Sequence, residues 1–136
     1  KPAAGHMARF LNLLATAAVS SVGASMIFTA PAPAAAPDAG EAVFKTQCAS
    51  CHSVAARGGP ITGPRLSGVV GRRAGTLPGF AYSPAMKNSG VTWTPEQLKR
   101  FLANPAQSMR GNRMPYAGLR DPRKLDDLVA WLGKQK

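Results

Sequence analysis

The chain's two cysteines both fall within five consecutive residues, Cys48-Ala-Ser-Cys51-His52. Two thiols at this spacing at a helix end can each form a thioether to one edge of the same macrocycle, while the next residue offers its imidazole to a central iron. C-x-x-C-H is therefore read as a haem attachment pattern, and a ligand tethered this way is effectively intramolecular. The competing readings each require features the sequence lacks. A redox dithiol calls for a βαβ setting. A structural zinc site needs four ligands, and His6 is the only histidine besides His52.

The length fits a covalently held cofactor. The chain has 136 residues, and its first 37 do not read as globular core. A domain of roughly 100 residues buries a limited share of its surface, so a large apolar group at its centre replaces core that side chains alone cannot supply. Lys1 to His6 read as an expression-tag remnant and are set aside. Residues 7–37 read as a signal peptide or an uncleaved membrane anchor: Arg9 precedes 28 uncharged residues that end in the Ala/Pro segment 30–37. Those last eight residues would form an extended tether of roughly 25 Å at about 3.1 Å per residue. Residues 38–136 are the domain, and either fate of the leader places it on the exported side, in a bacterial periplasm.

Lys1 and Arg9 aside, residues 38–136 keep 15 basic against 6 acidic side chains, a formal charge of +9. Such a surplus suits phosphate, but the basic residues are scattered among Gly and Pro and no nucleic-acid motif appears. The expected partners are acidic redox proteins, with anionic lipid as a further surface and no nucleic acid.

The second axial position decides whether an iron here binds small molecules or only passes electrons. The thioethers of the domain are Met86, Met109 and Met114, each of which could equally be core filling. Met114 has the best context, in Gly111-Asn-Arg-Met114-Pro115-Tyr-Ala-Gly118, a loop able to lay a side chain flat on a haem face. Met109 is the rival, with a lysine as outsider. His/Met ligation implies a raised potential, because a soft neutral thioether favours the ferrous state.

Helices are expected around this site. Gly40 to Gln47 forms the first and delivers the cysteines. Thr94-Pro95-Glu96-Gln97 opens another, with Thr94 as N-cap, Pro95 at N1 and Gln97 completing a capping box; Leu98, Phe101 and Leu102 follow before Asn104-Pro105 stops it. Asp121-Pro122 starts the last, with Leu125, Leu128, Val129 and Leu132 on one face and Trp131 extending it. The stretch from Gly58 to Gly79, dense in glycine and proline, reads as loop.

From Gly40 to Lys134 the chain resembles a class I c-type cytochrome of the mitochondrial cytochrome c and bacterial cytochrome c2 type. The resemblance rests on Cys48-Ala-Ser-Cys-His52, Thr62-Gly-Pro-Arg-Leu66, Gly71-Arg72, Pro78-Gly-Phe-Ala-Tyr82, Gly90-Val-Thr-Trp93, Phe101-Leu-Ala-Asn-Pro105 and Met114-Pro-Tyr-Ala-Gly-Leu119, in the family's order. It implies a small all-α fold of about five short helices and glycine-rich loops wrapped around one covalent haem c, and a monomer. It also implies that the Pro64 carbonyl accepts from His52, that Arg72, Tyr82 and Trp93 lie near a buried haem propionate, and that Phe44 meets the face carrying Leu128 and Trp131. The function implied is one-electron transfer between a quinol-oxidising complex and a terminal oxidase, reductase or photosynthetic centre, without catalysis. The alternatives are a gas-binding or peroxidase-like protein with a labile Met ligand, and the electron-entry module of a dehydrogenase.

The departures carry expectations of their own. Phe101 stands where relatives commonly have Tyr, Met86 where they often have Asn, and Asn112 where they often have Thr, so the Met side of the haem is expected to be simpler and drier, with Asn112 and Phe101 beside the cofactor. At the haem edge, Ala42, Gln47, Ile61, Ala106 and Gln107 replace lysines of mitochondrial relatives. Arg57, Arg110, Arg113 and Arg120 keep part of the charge.

Overall fold

A computed structural model describes residues 38–57 and 62–136. The readings of residues 1–37 as tag remnant, signal peptide or anchor, and tether lie outside the described residues, as do Ile61 and the start of the glycine-rich stretch.

Five helices follow in order: α1 Ala39–Gln47, α2 Pro84–Lys87, α3 Pro95–Ala103, α4 Pro105–Ser108 and α5 Pro122–Lys134. Each begins on a side chain that accepts a hydrogen bond from the first turn, namely Asp38, Ser83, Thr94, Asn104 and Asp121. In α2 to α5 the next residue is proline, whose missing N–H costs nothing at that position and whose fixed φ suits a helix start. The capping box at α3 is only half formed. Thr94 Oγ1 accepts from the Gln97 N–H at 3.2 Å, but the Thr94 N–H donates to Thr92 O at 2.8 Å, so the return bond from the Gln97 side chain has no donor to receive it. Asn104-Pro105 does end α3, and the same pair caps and opens α4.

The first and last helices pack on each other. The Phe44 and Trp131 rings lie 5.0 Å apart, and at Gly40 the backbones come so close that a Cβ would overlap the Asp127 carbonyl and Trp131 Cβ. Helix α3 lays Leu98, Phe101 and Leu102 against the Leu125, Leu128, Val129 and Leu132 face of α5, and Leu128 is only 1 % exposed. Loops form the opposite wall. They are pinned where Arg73 and Thr92 form an isolated antiparallel bridge, flanked by Ala74 N–H to Val91 O and Trp93 N–H to Arg72 O. Among the described residues no helix is long and apolar enough to cross a membrane.

Candidate haem site

Between the α3/α5 face and the loops lies a mainly apolar cavity of about 530 Å³, within the range of roughly 300–1,000 Å³ that holds a cofactor-sized ligand. Its wall includes Cys48, Cys51, His52, Pro64, Arg72, Tyr82, Trp93, Phe101 and Met114.

Helix α1 delivers the cysteines. Its last turn runs on through Cys48 N–H to Phe44 O, and both the Cys51 and His52 N–H groups return to Cys48 O. Thus Cys48, Cys51 and His52 occupy one tight turn beside the cavity. The thiols are not joined to each other. Burial, with the neighbouring Cys51 adding to it, pushes the Cys48 thiol up to about 11. A catalytic dithiol needs a lowered thiol pKa, so this environment argues against redox thiol chemistry. Among the described residues no group of three or more His, Cys, Asp or Glu is placed to hold a metal ion, which removes the support for a four-ligand zinc site.

His52 Nδ1 lies 2.7 Å from Pro64 O. Burial lowers the pKa of the ring, opposed by that carbonyl, so the neutral imidazole is favoured, with Nδ1 as donor and the Nε2 lone pair available to a metal. Gly63 makes room for the ring: a Cβ there would stand 2.8 Å from Nδ1 and 2.9 Å from Nε2. Gly63→Ala is therefore expected to turn the imidazole and weaken its bond to Pro64. An imidazole so loosened is a less basic donor, and if it ligates a haem iron the reduction potential should shift upward in a redox titration; an unchanged potential would show that the ring has room to spare.

Arg72 lines the cavity half-buried, donating to Ser67 O and Arg65 O at 3.1 Å each. Burial lowers its pKa, and it belongs to none of the ion pairs among the described residues. A guanidinium held this way, with the Tyr82 hydroxyl near enough to interact electrostatically with it, is suited to receive an anionic group within the cavity. Trp93 and Phe101 are buried, with ring centroids 5.0 Å apart.

Of the three thioether candidates, Met86 and Met114 line the cavity and Met109 does not. Asn112 does not line it either, but it sits directly behind the Met114 backbone. Its amide is spent on backbone, donating to Pro105 O and Met109 O and accepting from the Met114 N–H. Two further residues had not been singled out. Gly63 sits inside the Thr62-Gly-Pro-Arg-Leu66 stretch, where its adjacency to Pro64 was the available signal. Tyr116 donates to Gln47 Oε1 at 3.2 Å across 69 positions of sequence, a pairing with no local signature.

The cavity thus offers a paired-thiol turn, a neutral nitrogen ligand, two thioethers and a half-buried cation, a donor set that fits one haem. The comparisons agree. A family model described as "Cytochrome C oxidase, cbb3-type, subunit III" matches residues 35–132. Cytochrome c2 of Blastochloris viridis is 45% identical over 112 residues, 81% of this chain and 87% of that protein. Cytochrome c of Chlamydomonas reinhardtii is 48% identical over 103 residues, 76% of this chain and 92% of the relative. The solved structure of cytochrome cH from Methylobacterium extorquens matches with a TM-score of 0.64 at 43% identity, covering 70% of this chain and 94% of that one. Fold, site and relatives converge: the chain belongs to the class I c-type cytochromes, electron carriers with covalent haem c that are not enzymes.

Proposed function

We propose that this cytochrome carries single electrons between exported redox proteins in a bacterial periplasm, with thioethers at Cys48 and Cys51 and axial ligands His52 and Met114. The observation that supports this most is the convergence of the Cys48–His52 turn and the Met114 loop on one apolar cavity. The bound haem supplies the one-electron couple. The chain's own residues set its surroundings. His52, neutral and oriented through Pro64, is a nitrogen donor whose direction is fixed. Met114 adds a soft neutral donor that favours the ferrous form. Leu98, Phe101 and Leu128 exclude water from one side, and Arg72, Tyr82 and Trp93 would hold a carboxylate of the group, which otherwise would protonate. Two donors fixed by the fold in this way would leave the bound group little to rearrange as it gains an electron.

The partners in this reading are a quinol-oxidising complex as donor and a terminal oxidase, reductase or photosynthetic centre as acceptor, each with an acidic docking surface. Residues 7–37 act as signal peptide or tether, residues 38–136 as the carrier. Exposed Ala42, Gln47, Ala106 and Gln107 give the docking face an uncharged centre, while Arg57, Arg110, Arg113 and Arg120 are exposed as well. No acidic residue occurs between Glu41 and Glu96 or between Glu96 and Asp121, so those two stretches carry only positive charge.

Two measurements test this. The ferric holoprotein should be low-spin, show the weak far-red charge-transfer band of thioether ligation, and bind no CO rapidly when reduced; a high-spin ferric spectrum with fast CO binding overturns the carrier reading in favour of a gas-binding protein. Electron-transfer rates with an acidic partner should fall only shallowly with ionic strength, since uncharged residues hold the centre of the face. A steep dependence would require a ring of charge the sequence does not place there.

A further inference from the structure

Asn112 stands two residues before Met114, and its side-chain amide is fully engaged by neighbouring backbone. Nδ2 donates to Pro105 O at 2.8 Å and to Met109 O at 2.7 Å, and Oδ1 accepts from the Met114 N–H at 2.9 Å. The Asn112 N–H also returns to Met109 O at 3.1 Å. An amide offers two N–H donors and one carbonyl. Here one side chain ties the start of α4, its end and the backbone of Met114 to a single point. Gly111, with φ +83°, provides the reversal that brings Asn112 back over α4, a conformation that L side chains rarely adopt. Downstream, the Tyr116 N–H bonds to Met114 O at 2.9 Å, so both backbone polar groups of Met114 are held by close neighbours. Past Pro115, the Tyr116 hydroxyl reaches Gln47 on α1.

We propose that Asn112 is the positioning residue for Met114, an amide clamp that holds the sixth ligand against the cavity and keeps competing ligands out. This rests on the reading of Met114 as the axial ligand. A thioether is a soft, neutral donor and a poor match to ferric iron, so its hold depends on how narrowly the loop confines it. Confinement is supplied beforehand when the loop's backbone groups are already satisfied in one arrangement, because the ordering entropy is then not charged against the ligand bond. Threonine, with one donor hydrogen, cannot serve both carbonyls. Aspartate keeps an acceptor for the Met114 N–H, but it sets a carboxylate against two carbonyl oxygens.

The test uses ferric holoprotein and three variants, N112A, N112D and N112T. Wild type must first show the thioether charge-transfer band. Its absence overturns the ligand reading and the clamp together. With the band present, N112A should bind added imidazole about tenfold faster, the scale set by the net worth of one or two hydrogen bonds. It should also lose the band at a lower pH and lose hydrogen-exchange protection at the Met114 amide. N112D should be at least as impaired, and N112T intermediate. Amides of α5 serve as the control. If the Met114 amide and the α5 amides lose protection by the same factor, Asn112 is merely structural and the proposal fails. It fails equally, with the ligand reading intact, if imidazole binding and Met114 exchange are unchanged.

Discussion

Replacing Met114 by leucine opens the sixth coordination position without unfolding the protein. Leucine nearly conserves the volume of methionine, and such swaps cost under about 1.5 kcal/mol, so the cavity wall survives while the thioether is lost. The far-red band should vanish, the reduced protein should bind CO, and the reduction potential should fall by a few hundred millivolts, a sizeable part of the roughly 0.8 V that axial ligands span. The choice of methionine is tested at the same time. Met109 lies off the cavity, so M109L should leave the spectrum unchanged. Met86 lines it and is the only thioether of the three able to substitute. An M114L protein that kept a thioether band, losing it only in the M86L/M114L double variant, would reassign the ligand to Met86.

The second large effect is expected outside the cavity. Gly40→Ala places a methyl group on the Asp127 carbonyl and Trp131 Cβ, where α1 crosses α5. Helix propensity alone would favour alanine by less than about 1 kcal/mol. Backbone cannot swing aside as a flexible side chain can, and the overpacking costs about 3 kcal/mol, the upper end of the usual range. The net expectation is destabilisation by roughly 2 kcal/mol, read as a lower denaturation midpoint at unchanged m-value. Gly133 is the matched control: a Cβ there meets only Val70 Cγ2 at 3.9 Å, ordinary contact. Gly133→Ala in α5 should be neutral or stabilising by up to about 1 kcal/mol. Equal destabilisation by both substitutions would contradict the contact argument.

What the residues disclosed follows the range of the interactions involved. The Cys48–His52 turn, the apolar faces of α3 and α5, and the starts at Thr94-Pro95 and Asp121-Pro122 are local patterns, so they were legible. Ser83-Pro84 and Asn104-Pro105 carry the same cap-and-proline signal, yet the helices they open have only four residues, too short for a hydrophobic period to announce them. The capping box failed because Thr92, just outside the motif, captured the Thr94 N–H. Family resemblance placed Pro64, Arg72, Tyr82, Trp93 and Phe101 around one centre, and all five line the cavity. The bonds of Asn112 to Pro105, Met109 and Met114 were not legible, because resemblance transfers a position but not the hydrogen bonds a different side chain will choose. Gly63 beside the imidazole and Tyr116 against Gln47 depend on how distant or folded-back segments meet, which no spacing encodes.

The pairing of α1 with α5 also ties the closing of the fold to the completion of the chain. Residues 39–47 cannot pack Phe44 on Trp131 until residues 122–134 are present, and contacts this distant in sequence tend to slow folding. In the closed state burial holds the Cys48 thiol at about 11, where almost no thiolate exists to form a bond. An open chain leaves the Cys48 thiol less buried and so more readily ionised than the closed one does.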